Sequence, residues 1–224
     1  MTLVQQIIDV KAYVGTILKH AHSKTKNYRS GVKDNIVVIN PEIIAEQLEW
    51  AKNLIQKQLE QKWQILIICE KSVYQWNLED IAKIPGVHYF NFNTPSGVLT
   101  NFETLSKRIN SMNDLRKFIE TKDFKTLTKK EQLTKTRELA KVEKIYRWVQ
   151  NLKKIPDLIM IVDGKSMSKF IDEIKKTKKQ SVVLSNTDFD RFWDKDYNGE
   201  LVITNVSNYQ SLNFCMRYIF DLVK

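Results

Sequence analysis

The sequence predicts a doubly wound α/β fold: a parallel sheet flanked by helices and interrupted by an inserted antiparallel helical hairpin of coiled-coil type. Three observations predict it. Six short runs, at 35–39, 64–69, 87–92, 157–162, 181–184 and 201–204, are apolar along nearly their whole length. Strands buried on both faces read this way, and they occur in parallel sheets covered by helices. Between most of these runs lie segments with apolar residues at helical spacing, so strand and helix alternate. The alternation breaks at 104–152, where two helical periodicities follow one another with no strand between them. A chain of 224 residues, 42% of them hydrophobic, suits one domain with an insertion. The expected division is a discontinuous globular domain at 1–103 and 153–224, with the hairpin at 104–152.

Taken in order, residues 3–18 carry Leu3, Ile7, Val10, Val14 and Ile17 at helical spacing, which predicts an amphipathic helix. Residues 19–34 lose that periodicity and read as a basic loop before the strand at 35–39. Asn40-Pro41-Glu42 then opens a helix: Asn caps, Pro is pre-set for the first turn, and Glu complements the positive end. Ile44, Leu48, Ala51, Ile55 and Leu59 continue it. A strand at 64–69, a helix at 72–83 and an aromatic strand at 87–92 follow. In the hairpin, Leu105, Ile109, Met112, Leu115 and Ile119 line one helix, and Leu139, Val142, Tyr146 and Val149 line the other, with 121–128 as connector. After Pro156 come the strand at 157–162, a helix at 167–176, and the strands at 181–184 and 201–204. A last helix at 207–223 turns Leu212, Met216, Ile219 and Leu222 inward.

Charge is concentrated. The chain has 36 Lys+Arg against 26 Asp+Glu, a net charge of +10. Residues 104–155 hold 15 basic and 6 acidic side chains, and at 19–34 Lys19, Lys24, Lys26, Arg29 and Lys33 face only Asp34. A near-neutral body with two cationic segments suits a polyanion, either nucleic acid or an anionic membrane surface. On the hairpin, Lys129, Lys130, Arg137 and Lys141 recur at helical spacing, and Lys107, Arg108, Arg116 and Lys117 do so on the other arm. Such a face fits a phosphate backbone, because each contact releases condensed counterions. The bland alternative is a solvated coiled coil whose Lys stems cover apolar surface. No run approaches the length of a membrane-spanning helix. The first twenty residues lack the pattern of a secretory signal, and no leader is expected. Cys69 and Cys215 stand alone, which suits a reducing compartment rather than a disulfide framework.

Catalytic motifs find little support. Gly164-Lys165-Ser166 looks like the end of a phosphate-binding loop, but the Gly required five residues earlier is Ile159. No Gly-x-Gly-x-x-Gly follows any strand. Asp163, Asp188 and Asp190 lie after strands and suit a divalent ion or acid–base work, although aspartates there more often make turns and caps. His20 and His22 are half a zinc site at most and fit phosphate or base contacts better. His88 is expected to be packed. No cofactor and no enzymatic activity are expected.

The block Gly97-Val98-Leu99-Thr100-Asn101-Phe102 resembles the Gly-Thr-Leu-Thr-Asn-Phe block of the universal second protein of the small ribosomal subunit. Further matches follow in order. Lys129-Lys130-Glu131 and Arg137-Glu138 resemble the second helical arm of that family. Pro156-Asp157-Leu158 with Val162-Asp163 resembles one of its strands, and Asn186-Thr187-Asp188 with Asp190 one of its loops. His22, Lys24, Lys26 and Arg29 resemble its basic loop. The sequence departs from the family at 91–98, which lacks an Arg-Trp pair and one Gly, at Ala21 in place of Gly, and at 204–208.

The resemblance implies a flavodoxin-like sheet with a protruding hairpin in a structural, non-catalytic ribosomal protein. It would bind small-subunit rRNA near the junction of head and body and pack beside neighbouring ribosomal proteins, without membrane attachment or homo-oligomerisation. The rRNA-binding residues it implies, together with the charge pattern, are His22, Lys24, Lys26, Arg29, Thr100, Asn101, Lys107, Arg108, Lys129, Lys130, Arg137 and Lys141. Few Gly with many Lys, Asn and Ile suit an organelle-encoded chain in the mitochondrial matrix, with the bacterial cytoplasm as the alternative. Two other functions compete: a doubly wound enzyme using a metal or nucleotide at Asp163, Asp188 or Asp190, and a free RNA-binding assembly factor.

Overall fold

The computed structural model describes residues 1–71, 74, 78–190 and 199–222. At its centre a five-stranded, all-parallel sheet is built from β4 (Ile65–Ile68), β5 (Val87–Phe90), β6 (Leu158–Val162), β7 (Gln180–Ser185) and β8 (Gly199–Ile203), in the order β5-β4-β6-β7-β8. Every residue of β4, β5 and β6 is buried, which is why these runs carry no polar alternation. The chain goes outward from β4 to β5, then crosses back to β6 on the other side of β4. This is the flavodoxin-type order, with its reversal of direction between β4 and β6.

Helix α2 (Pro41–Glu60) begins as its sequence predicts. Asn40 Oδ1 accepts from the Glu42 N–H at 3.0 Å, Pro41 occupies the first turn, and Ile44, Leu48, Ala51 and Ile55 form the buried face. It packs against α1 (Leu3–Asp9), β8 and the closing helix α8 (Tyr209–Ile219). Of the helix expected at 72–83, α3 covers only Leu78–Ile81 and gives way to a turn at Ala82 and Lys83; positions 72, 73 and 75–77 lie outside the described residues. Helix α4 (Phe102–Glu120), a short α5 (Lys122–Thr126) and α6 (Lys129–Tyr146) follow β5, and α4 lies against α6. Each starts on a capping side chain: Asn101, Thr121 and Thr128 respectively. At α6 the cap is reciprocal, because Thr128 N donates to Glu131 Oε2 and Glu131 N donates to Thr128 Oγ1. Helix α7 (Ser168–Thr177) ends on Lys178 in a left-handed conformation. Helix α8 covers 209–219 of the helix expected at 207–223, and Val223 lies outside the described residues.

The amino-terminal fifth differs from its expected form. The helix expected over 3–18 stops at Asp9, and Lys11 follows with φ 57°. Val14 and Ile17 belong instead to β1 (Val14–Ile17). Residues 19–34 are not a plain loop: two 3-10 turns, Leu18–His20 and Ser23–Tyr28, lead into β2 (Arg29–Lys33). The apolar run at 35–39 becomes β3 (Ile36–Ile39), the centre of a separate antiparallel sheet of order β1-β3-β2. Gly15 explains why β1 sits where it does. A Cβ there would stand 2.7 Å from Val37 O and 3.1 Å from Thr187 Oγ1, so only Gly admits the close approach. Between β2 and β3, Asp34 and Asn35 both have positive φ, 50° and 63°, as a two-residue hairpin turn requires.

Candidate nucleic-acid interface

The basic amino-terminal segment is built around Thr187, in the loop after β7. Thr16 N donates to Thr187 Oγ1 at 3.0 Å, and the two hydroxyls lie 2.7 Å apart. His22 N donates to the Thr187 carbonyl at 2.8 Å. Thr25 is fully buried, and its hydroxyl donates to His22 O at 2.7 Å. Arg29 closes the arrangement: its guanidinium donates to His22 O at 2.5 Å and to Thr25 Oγ1 at 2.6 Å. Burial lowers the Arg29 pKa, but a guanidinium stays charged in proteins. His22 Nδ1 accepts from Lys24 N at 3.3 Å, so the ring caps the turn. The Lys24 and Lys26 side chains are exposed at its rim.

The Gly97–Phe102 block forms the approach to α4. Its organiser is Glu173, a buried acid on α7 that sequence reasoning passed over. Glu173 Oε1 accepts from Gly97 N at 2.6 Å and Oε2 from Leu99 N at 3.0 Å. A signal was available: Glu173 lies among Phe170, Ile171 and Ile174 on the apolar face of its helix. Thr100 is exposed, while Asn101 serves as the cap of α4, accepting from Thr104 N at 3.4 Å.

On α4, Lys107 pairs with Glu103 at 2.6 Å and Arg108 donates to Tyr146 OH at 3.2 Å. Arg116 ties the two long helices together through Glu143 at 2.6 Å and Gln150 at 2.5 Å. The cations of α6 are placed differently. Lys129, Lys130, Arg137 and Lys141 are exposed, and among the described residues none has an ion-pair partner. Leu133 on the same helix is 50% exposed, so the tip end of α6 buries little apolar surface.

Of the three aspartates after the strands, Asp163 and Asp188 are committed, whereas Asp190 is exposed. Asp163 follows β6 with φ 65° and bonds Lys71 Nζ at 2.5 Å and Ser166 Oγ at 2.6 Å. Burial pushes its pKa up, but the hydrogen bonds from Lys71 and Ser166 outweigh that and leave it lowered. Asp188 pairs with Lys165 at 2.9 Å. Gly164 is a packing glycine: a Cβ would stand 2.6 Å from Val183 Cγ1 and 2.8 Å from Phe189 Cε2. The described residues hold no group of three or more metal-ligating side chains. His88 is packed as expected, held by Gln64 Oε1 at 2.6 Å. Burial pushes the Cys69 thiol up to about 12 and the Cys215 thiol up to about 11, so both stay protonated and unreactive at neutral pH. Among the described residues no helix is long and apolar enough to cross a membrane.

The family model described as Ribosomal protein S2 matches residues 7–223, nearly the whole chain. The chain belongs to the ribosomal protein S2 family. Two bacterial relatives carry the name small ribosomal subunit protein uS2. The one from Petrotoga mobilis is 27% identical over 186 residues, covering 83% of this chain and 65% of that protein. The one from Helicobacter acinonychis is 26% identical over 163 residues, covering 73% and 66%. The chain therefore spans about two thirds of the length of these S2 relatives. Family membership agrees with the doubly wound parallel sheet.

Proposed function

We propose that this chain is a non-catalytic structural constituent of the small ribosomal subunit, anchored by phosphate contacts from an exposed cationic face. The observation that carries the reading is the match to ribosomal protein S2 across 7–223, on a frame where Lys129, Lys130, Arg137 and Lys141 of α6 are exposed and have no ion pair among the described residues, while Lys135 pairs with Glu138. Lys129, Lys130, Arg137 and Lys141 are the principal rRNA-binding residues in this reading, with Lys24 and Lys26 as a second group. His22, Arg29, Asn101, Lys107 and Arg108 act chiefly by shaping the surface, since each already has a partner within the fold. Residues 104–152 form the inserted hairpin, and the rest of the chain forms the body that packs on neighbouring ribosomal proteins. The Lys-, Asn- and Ile-rich, Gly-poor composition supports a mitochondrial ribosome as the setting.

The enzyme alternative loses ground because two of the three carboxylates it needs, Asp163 and Asp188, are engaged by Lys71, Ser166 and Lys165. Tagged chain expressed in its own cells should cosediment with small subunits through a high-salt wash, at one copy per particle. Recovery only in the ribosome-free fraction, or at far below one copy, contradicts the proposal and favours a free assembly factor.

A further inference from the structure

Ligand clefts in open α/β sheets normally lie at the carboxyl ends of the strands, and here that end carries the Lys71–Asp163 and Lys165–Asp188 ion pairs beside a cleft of about 570 Å³ lined by Asn186, Asp188 and Asn205. The opposite end carries an open cleft. It lies where the chain enters β4 and β5 and has a volume of about 360 Å³, within the range of small-ligand sites (roughly 300–1,000 Å³). Gln64, Lys83, His88, Arg147, Trp148 and Asn151 are among its walls.

Its chemistry is that of a planar, polar ligand. Trp148 stacks on the buried Tyr89, with ring centroids 4.9 Å apart and planes 23° apart, which locks the indole. The exposed Arg147 guanidinium lies 5.0 Å from the Trp148 ring centre, so a flat cation is already held against an aromatic platform. Amides surround it. Gln150 uses its Oε1 on Arg116, and among the described residues its NH2 and the whole Asn151 amide have no other partner. His88 is kept largely neutral, because burial lowers its pKa. The cleft therefore offers a guanidinium plane and amide donors and acceptors without a strong cluster of charge. Unpaired RNA bases are recognised by stacking on aromatic or Arg planes and by hydrogen bonds to their edges, whereas a phosphate site would collect several cations.

We propose that this cleft receives a single unpaired base of RNA, stacked on Arg147 and bonded at its edge by the amides of Asn151 and Gln150. The inference rests on the ribosomal reading for the identity of the RNA, and it adds a base contact at a place remote in sequence from the α6 cations. The full chain is titrated with a labelled single-stranded hexaribonucleotide and with an RNA duplex of equal length, following anisotropy. Arg147→Lys keeps the charge and loses the plane, and Asn151→Ala loses the edge contact; both positions are exposed and the variants should unfold at the wild-type urea midpoint. Arg147→Lys should weaken single-strand binding about tenfold, in line with the loss of one stacked base, Asn151→Ala should weaken it less, and duplex binding should be unchanged. Wild-type single-strand affinity in both variants, or equal losses for duplex and single strand, overturns the proposal. Either result leaves cosedimentation with the small subunit intact, so failure of the cleft is distinct from failure of the ribosomal reading.

Discussion

Two clusters of positive charge look alike as strings of Lys and Arg, yet the fold draws Arg29 of the first inward, leaving its lysines exposed, and leaves the cations Lys129, Lys130, Arg137 and Lys141 of the second all exposed. In the amino-terminal segment, Arg29 is turned inward onto His22 O and Thr25 Oγ1 and holds the turn that rests on Thr187. On α6, Lys129, Lys130, Arg137 and Lys141 project from an exposed surface with no ion pairs among the described residues. The difference teaches that a basic cluster is a footprint of a polyanion only where the backbone does not already use it. A guanidinium can satisfy several acceptors at once, so a lone Arg beside buried carbonyls is drawn into construction. Lysines on an isolated helix face have no such acceptors within reach.

The contrast makes unequal claims on stability. Arg29→Ala removes charged hydrogen bonds to two partners, His22 O and Thr25 Oγ1, although His22 O keeps the Thr25 hydroxyl. It should cost about 2–3 kcal/mol, read as a lower urea midpoint, while Arg137→Ala should unfold like the wild type. Equal midpoints for the two variants would erase the distinction. Lys71 is a second committed cation, and its partner titrates. The Asp163 pKa is lowered in the folded chain, so its contribution is present above the ordinary carboxylate value near 3.9. It is lost as pH falls through the still lower folded value. Asp163→Asn, which tolerates the positive φ, should be less stable than wild type by about 1 kcal/mol at neutral pH. That gap should narrow on acidification to about pH 3. A gap that stays constant with pH would show that the Lys71 pair does not contribute as described.

The parallel sheet was legible because β4, β6 and β7 are short apolar runs bounded by turns and helices, and α2 because Asn40, Pro41 and Glu42 form a complete start signal. The amino-terminal sheet was hidden by coincidence. Leu3, Ile7, Val10, Val14 and Ile17 keep a helical spacing even though the chain changes direction at Lys11. The turn at Asp34-Asn35 lacks the Gly that usually betrays a hairpin, so β2 and β3 read as a loop and a lone strand. Strand order is set by crossovers between distant segments and left no local mark. Among the site residues, the α6 cations were visible from spacing, because exposure on a helix follows from periodicity. The inward use of Arg29 and the bracing of Gly97 and Leu99 by Glu173 depend on partners 7 and 74–76 residues away. Only the fold brings the second pair together.

The smallest expected effect on stability is the most telling one for function. Lys129→Glu combined with Lys130→Glu should leave the urea midpoint unchanged. Affinity for small-subunit rRNA, measured across a salt series, should fall, and the slope of log affinity against log salt should shrink by about two contacts' worth, roughly 0.9 each on duplex RNA taken like B-DNA. An unchanged slope with an unchanged fold would mean that the α6 face does not meet RNA, and the account of this chain as an rRNA-anchored frame would be contradicted.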